Sequence, residues 1–273
     1  MARNVVVTRY PEEGLLANLL HVLEVIRRIQ PHARVHVDWT VTGTELAFRY
    51  VEKGQDVWIR LFQAVGLPLD ESAHQATARL DLALWGKGKD YLRGRHLQKH
   101  REGYQATLLK WVEITNHRVL AQVDEICGRH FDGRFCIGIH RRVGNAMVAE
   151  LQKDGRVPSS GSIIQTVESI ISLATKGGNA DYCIYLATDD ADAVDVFKDA
   201  FGSRLVVREN VQRTTADAAE VHFREWDRLS ITDAEDALID TVLLSKCNVM
   251  VHTSSSVSTV ASLINPALIL VRA

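Results

Sequence analysis

At 273 residues the chain has room for one large α/β unit or two smaller domains, and 32 lysines and arginines nearly balance 34 aspartates and glutamates. That balance excludes the strong basic excess of a nucleic-acid binder and the like-charge block of a disordered tail, so no nucleic-acid partner is expected. No apolar run is long enough to span a bilayer, and Met1 to Val7 lacks the apolar core of a signal peptide. The four cysteines show no Cys-x-x-Cys spacing, and three lie in or beside apolar segments, where a free thiol packs as a small hydrophobe. The expectation is a soluble, reduced, cytoplasmic protein.

Val5 to Val7 reads as a first strand. From Leu15 to Ile29 apolar residues recur at helical spacing, with Pro31 as the stop. Val35, Val37 and Trp39 alternate with His36 and Asp38, the pattern of a half-exposed strand. Strand, helix and strand in that order predict a parallel, right-handed unit. Val57 to Val65 is expected to be helical, and Gly86 to Lys89 and Arg93 to Arg95 are expected to form basic loops. His96 and His100 have a metal-ligand spacing, but Leu97 stands where a zinc-protease motif needs glutamate, so no metal is expected. Tyr104 to Ile126 reads as one long amphipathic helix.

Beyond it the pattern becomes regular. Strands are predicted at Arg134–Ile139, Tyr182–Ala187, Leu205–Val207, Val249–Val251 and Leu268–Val271. Helices are predicted at Ser162–Ala174, at Ala191–Ala200, from the capping box Thr232-Asp233-Ala234-Glu235 through Leu244, and at Ser255–Leu263. Such alternation specifies a parallel sheet covered by helices on both faces. Two α/β halves are expected, residues 1–116 and 117–273.

In a parallel sheet the residues that follow each strand gather on one edge, where open α/β sheets bind ligands. The first group is His140-Arg141-Arg142, after an apolar strand, read here as a cationic strand end. The second is Thr188-Asp189-Asp190. The third is His252-Thr253-Ser254-Ser255-Ser256, which also opens a helix. An arginine fork beside a hydroxyl-rich helix start fits a diphosphate better than a lone carboxylate. Each group also has a structural reading, as helix caps or as arginines that meet nearby carboxylates. Asp236 and Asp240 would share a helix face and repel, which fits either a polar partner that meets at least one of them or simple solvent exposure of the face. Glu150 follows the arginine loop and is a candidate general base.

Three blocks resemble the GDP-fucose-dependent fucosyltransferases, nearest to the α-1,6 and nodulation group and more distantly the protein O-fucosyltransferases. They are Ile137 to Arg142, Ile184 to Asp190, and Asp236 to Ser256. The resemblance, over roughly residues 130 to 265, implies two Rossmann-like domains in the glycosyltransferase B arrangement. It also implies inverting transfer of fucose from GDP-fucose to a glycan or glycolipid-like acceptor, with no metal or other cofactor. By position, His140 and Arg142 would contact the donor, with Arg142 on the β-phosphate. Asp240 would meet the guanine, Ser255 and Ser256 would line the diphosphate turn, and Glu150 would be the base. Arg141, Asp189, Asp190 and Thr253 complete the expected donor site.

The chain departs from the family pattern at Val143, where a second arginine is usual, and at Val257, where a glutamine often stands. It also ends soon after its last strand. These departures motivate a second hypothesis, a family member that binds a GDP-sugar or glycan without transfer. A hydrolase built on Asp189 and Asp190 fits poorly, because that chemistry needs an Asp-x-Asp or a metal cluster.

Overall fold

The computed structural model describes residues 3–8, 14–29, 33–42, 50–64, 78–80, 95–142, 158–175, 181–213, 230–253 and 255–273. The chain divides into two compact units, Met1–Leu120 with Leu229–Glu235, and Ala121–Arg228 with Asp236–Ala273.

In the first unit β1 (Arg3–Thr8) pairs in parallel with β2 (Ala33–Asp38) and with β4 (Ala78–Leu80). Between β1 and β2 runs α1 (Leu15–Ile29), whose Leu16, Leu19, Leu20, Leu23 and Ile26 are buried at the predicted spacing. Parallel strands tend to be covered on both faces, and β2 is less open than its alternation suggests: His36 is buried beside Val35.

The expected helix over 57–65 is shorter, α2 (Trp58–Leu61), and gives way to β3 (Phe62–Ala64). The expected single helix over 104–126 is three elements: α3 (Arg95–Trp111), β5 (Val112–Ile114) and α4 (His117–Ile126), which runs into a π turn at Cys127–Phe131. The break has a local and a distant cause. Val112 and Ile114 are β-branched, and β5 pairs antiparallel with β3, Phe62 opposite Ile114. The new helix start is capped by Asn116, whose Oδ1 accepts from the Val119 N–H at 3.0 Å.

The second unit is one parallel sheet. Its strands are β6 (Phe135–Arg141), β7 (Tyr182–Thr188), β8 (Leu205–Val207), β9 (Val249–His252) and β10 (Ile269–Arg272). The connecting helices are α5 (Ser160–Thr175), α6 (Ala191–Phe201), α7 (Ile231–Ser245, whose start up to Glu235 belongs to the first unit) and α8 (Ser256–Ile264). Across the sheet the order is β10-β9-β6-β7-β8. Counted from β6 that is the doubly wound order 3-2-1-4-5, whose direction reverses between β6 and β9.

Ile137, Ile139, Ile184, Leu186 and Val251 cover one face of the sheet together with Ile163 and Val167 of α5 and Phe197 of α6. On the other face Gly138 lets the end of α7 approach: a Cβ there would lie 2.9 Å from Leu244 Cδ2 and 3.1 Å from Cys247 Sγ. The cap of α7 sits two residues earlier than the predicted box. Ser230 donates its N–H (2.7 Å) and its hydroxyl (3.1 Å) to Asp233 Oδ2, while Glu235 instead accepts from Asn116 and Arg118. Among the described residues no helix is long and apolar enough to cross a membrane.

Candidate functional site

The reversal in strand order falls where two of the three sequence groups stand. His140 of β6 is in register with His252 of β9 on one side and Ala187 of β7 on the other. The Thr253 N–H donates to the His140 carbonyl at 3.2 Å, and Ser255 Oγ lies 3.5 Å from His140 Nδ1. The end of β9 and the start of α8 are thus seated on the end of β6.

Ser255 caps α8 through a reciprocal pair. Its hydroxyl accepts from the Ser258 N–H at 3.2 Å, and the Ser258 hydroxyl accepts from the Ser255 N–H at 3.1 Å. The remaining N–H groups of the first turn, including that of Ser256, form an electropositive helix start beside the strand end. Among the described residues this is the arrangement best suited to an anion.

The charge at the end of β6 differs from the sequence expectation. His140 is buried; that burial, helped by Arg142 and His252, pushes its pKa down to about 3, so it stands there as a neutral imidazole. Arg141 is ion-paired with Asp190 through Nη1, and both side chains are nearly buried. Asp190 also accepts the Asp192 N–H at 3.0 Å, so it caps α6. This pair realises the structural reading of those two residues. Arg142 is the more open arginine; its Nε is 3.9 Å from Asp189 Oδ2, and both side chains are about one-fifth exposed.

Asp240 lies on α7 against the same sheet. Its Oδ1 accepts from the Tyr185 hydroxyl at 2.6 Å and from Arg208 Nη1 at 2.9 Å. Arg208 also donates to Asp236 Oδ1 at 2.6 Å and so meets both carboxylates, which decides for a polar partner over simple solvent exposure of that face. Its identity was not legible, because it follows the short β8 in a stretch that reads only as polar. Glu150, Val143 and Ser254 lie outside the described residues, as do the side chain of His96 and the basic loop at Gly86 to Lys89. Among the described residues no three His, Cys, Asp or Glu side chains are grouped to hold a metal.

The model of one protein family, described as Nodulation protein Z (NodZ), matches residues 101–271, well over half of the chain. The chain belongs to the NodZ family. No curated protein matches the sequence. Among solved structures, this NodZ-family chain resembles the NodZ α-1,6-fucosyltransferase soaked with GDP-fucose, at 16% identity and a TM-score of 0.62, over 97% of this chain and 94% of that one. A FUT1 variant from Arabidopsis thaliana in complex with GDP matches at 13% identity and a TM-score of 0.51, over 99% of this chain and 70% of that one. The apo form of POFUT1 matches at 12% identity and a TM-score of 0.50, over 98% and 97%. At such identities the likeness shows the fold, a mixed α/β fold of the glycosyltransferase B type shared by fucosyltransferases.

Proposed function

We propose that this NodZ-family chain is a glycosyltransferase that moves fucose from GDP-fucose to a hydroxyl of a glycan or glycolipid-like acceptor. Transfer proceeds with inversion, without a metal, and in the cytoplasm. One observation carries the reading: the ends of β6 and β9 meet at the reversal of strand order, with Thr253 bonded to the His140 carbonyl and Ser255 capping α8 beside it. The diphosphate occupies that crevice, against Thr253, Ser255 and Ser256, with Asp189 and the Arg141–Asp190 pair on its β7 side. Arg142 binds the β-phosphate, neutral His140 contacts the donor by hydrogen bonding, and Asp240 meets the guanine.

In the reaction the acceptor oxygen forms a bond to the anomeric carbon as the bond to the β-phosphate oxygen breaks. Negative charge grows on the departing GDP, so a fixed guanidinium there stabilises the transition state more than the ground state. Glu150 takes the acceptor proton.

Arg142→Ala tests the site by calorimetry with GDP. A loss of about tenfold or more in affinity is expected for a charge-assisted phosphate contact; unchanged affinity defeats the proposal. A thermal-shift panel of GDP, UDP, ADP, GDP-fucose and GDP-mannose identifies base and sugar together, because a ligand of the native state raises the midpoint. Val257, in the first turn of α8, favours a second reading, a GDP-sugar binder without transfer. Fucose transfer to any acceptor, abolished by Glu150→Gln, eliminates it.

A further inference from the structure

Behind the proposed guanine contact lies an arginine that no ligand needs to touch. Arg208 is 7% exposed and follows β8 directly. Its Nη2 donates to Asp236 Oδ1 at 2.6 Å and to Gln122 Oε1 at 3.1 Å, and its Nη1 donates to the Asp236 carbonyl at 3.0 Å and to Asp240 Oδ1 at 2.9 Å. The Tyr185 hydroxyl donates to that same Asp240 Oδ1 at 2.6 Å. Two donors therefore converge on one oxygen of Asp240, while its Oδ2 accepts no hydrogen bond among the described residues and the side chain keeps 18% exposure.

We infer that Arg208, assisted by Tyr185, is a positioning residue for base selection. It holds Asp240 in one orientation, so that Oδ2 stands as an acceptor toward the nucleobase. The inference rests on the donor reading above. Left alone, Asp240 would repel Asp236 one helical turn away and its carboxylate would rotate freely; the guanidinium fork removes both freedoms at once. Guanine presents adjacent N–H donors from its ring and its amino group, which a fixed carboxylate can accept. Adenine turns a ring acceptor toward the same place, and uracil offers one N–H. Discrimination between bases then depends on how well Asp240 is held, whereas the phosphate cradle serves any nucleoside diphosphate. The charges are consistent with this. Burial opposes the guanidinium, but Asp240, Tyr185 and Asp236 outweigh it and raise the pKa of Arg208, and burial with Asp240 keeps the Tyr185 phenol protonated.

The test measures the affinities of GDP, UDP and inorganic pyrophosphate by calorimetry for the wild type, Arg208→Lys, Tyr185→Phe and Arg142→Ala. Arg208→Lys keeps the charge but loses the fork, and Tyr185→Phe keeps Arg208 but loses one donor. In both, GDP affinity is expected to fall by about tenfold, the loss of one charge-assisted contact, with UDP and pyrophosphate unchanged, so the GDP-to-UDP ratio drops. Arg142→Ala lowers all three together and leaves the ratio intact. If Arg208→Lys does not fold, Tyr185→Phe decides by the same ratio. Wild-type protein that binds no GDP overturns the donor reading, and this inference with it. Wild-type binding with an unchanged ratio in the folded variants overturns the inference alone.

Discussion

His140 makes the second unit sensitive to acid in a way that one substitution should remove. Its imidazole is held neutral, with a pKa of about 3 in the folded protein against about 6.5 in an unfolded chain. Between those values the unfolded state binds a proton that the folded state refuses, so stability falls as pH drops below about 6.5. Going from pH 7 to pH 5 the cost is about 2 kcal/mol for this one group. Burial and Arg272 also lower the pKa of His252, whose contribution has the same sign and is common to wild type and variant. Native-state hydrogen exchange at the Ile137 and Ile139 amides reports the opening free energy of β6 directly. The expected outcome is that His140→Gln loses about 2 kcal/mol less than the wild type between the two pH values. Equal losses in the two proteins, or an imidazole resonance of His140 that titrates near 6.5, would refute the reasoning.

Gly138→Ala is expected to destabilise the second unit by about 1–3 kcal/mol, because the added Cβ meets Leu244 and the buried Cys247. A lower urea midpoint checks this, and Cys247→Ala in the same chain should recover part of it. Ser255→Ala removes one half of the α8 capping box and should cost about 1 kcal/mol. It should also weaken GDP and UDP equally, since the cradle does not read the base; a GDP-specific loss would contradict that.

From β6 onward every described strand, and each described α-helix between them, falls within a few residues of its sequence expectation. There the apolar runs are short, bounded by turn residues, and alternate with helical periodicity. The first unit was harder for a definable reason. Val112 to Ile114 continues the apolar rhythm of α3, and only pairing with β3, about fifty residues away in sequence, turns it into a strand. The site divides along the same line. The placement of His140 and Thr253 follows from parallel topology, which a linear pattern of strands already implies. The charge state of His140 depends on what covers it, and the role of Arg208 depends on α7 crossing back over the sheet, neither of which leaves a mark in neighbouring residues.

The order of strands also bears on how the protein comes to be assembled. β6, β7 and β8 are neighbours both along the chain and across the sheet, so they can zip together through short local crossovers. β9 must return past all of them to join the free side of β6, closing a loop of more than a hundred residues before any contact rewards it. The crevice between His140 and Thr253 belongs to that last seam. A chain with β6 to β8 already folded would have Arg142 and no helix start to set against it, so ligand affinity is acquired late in folding, when β9 docks.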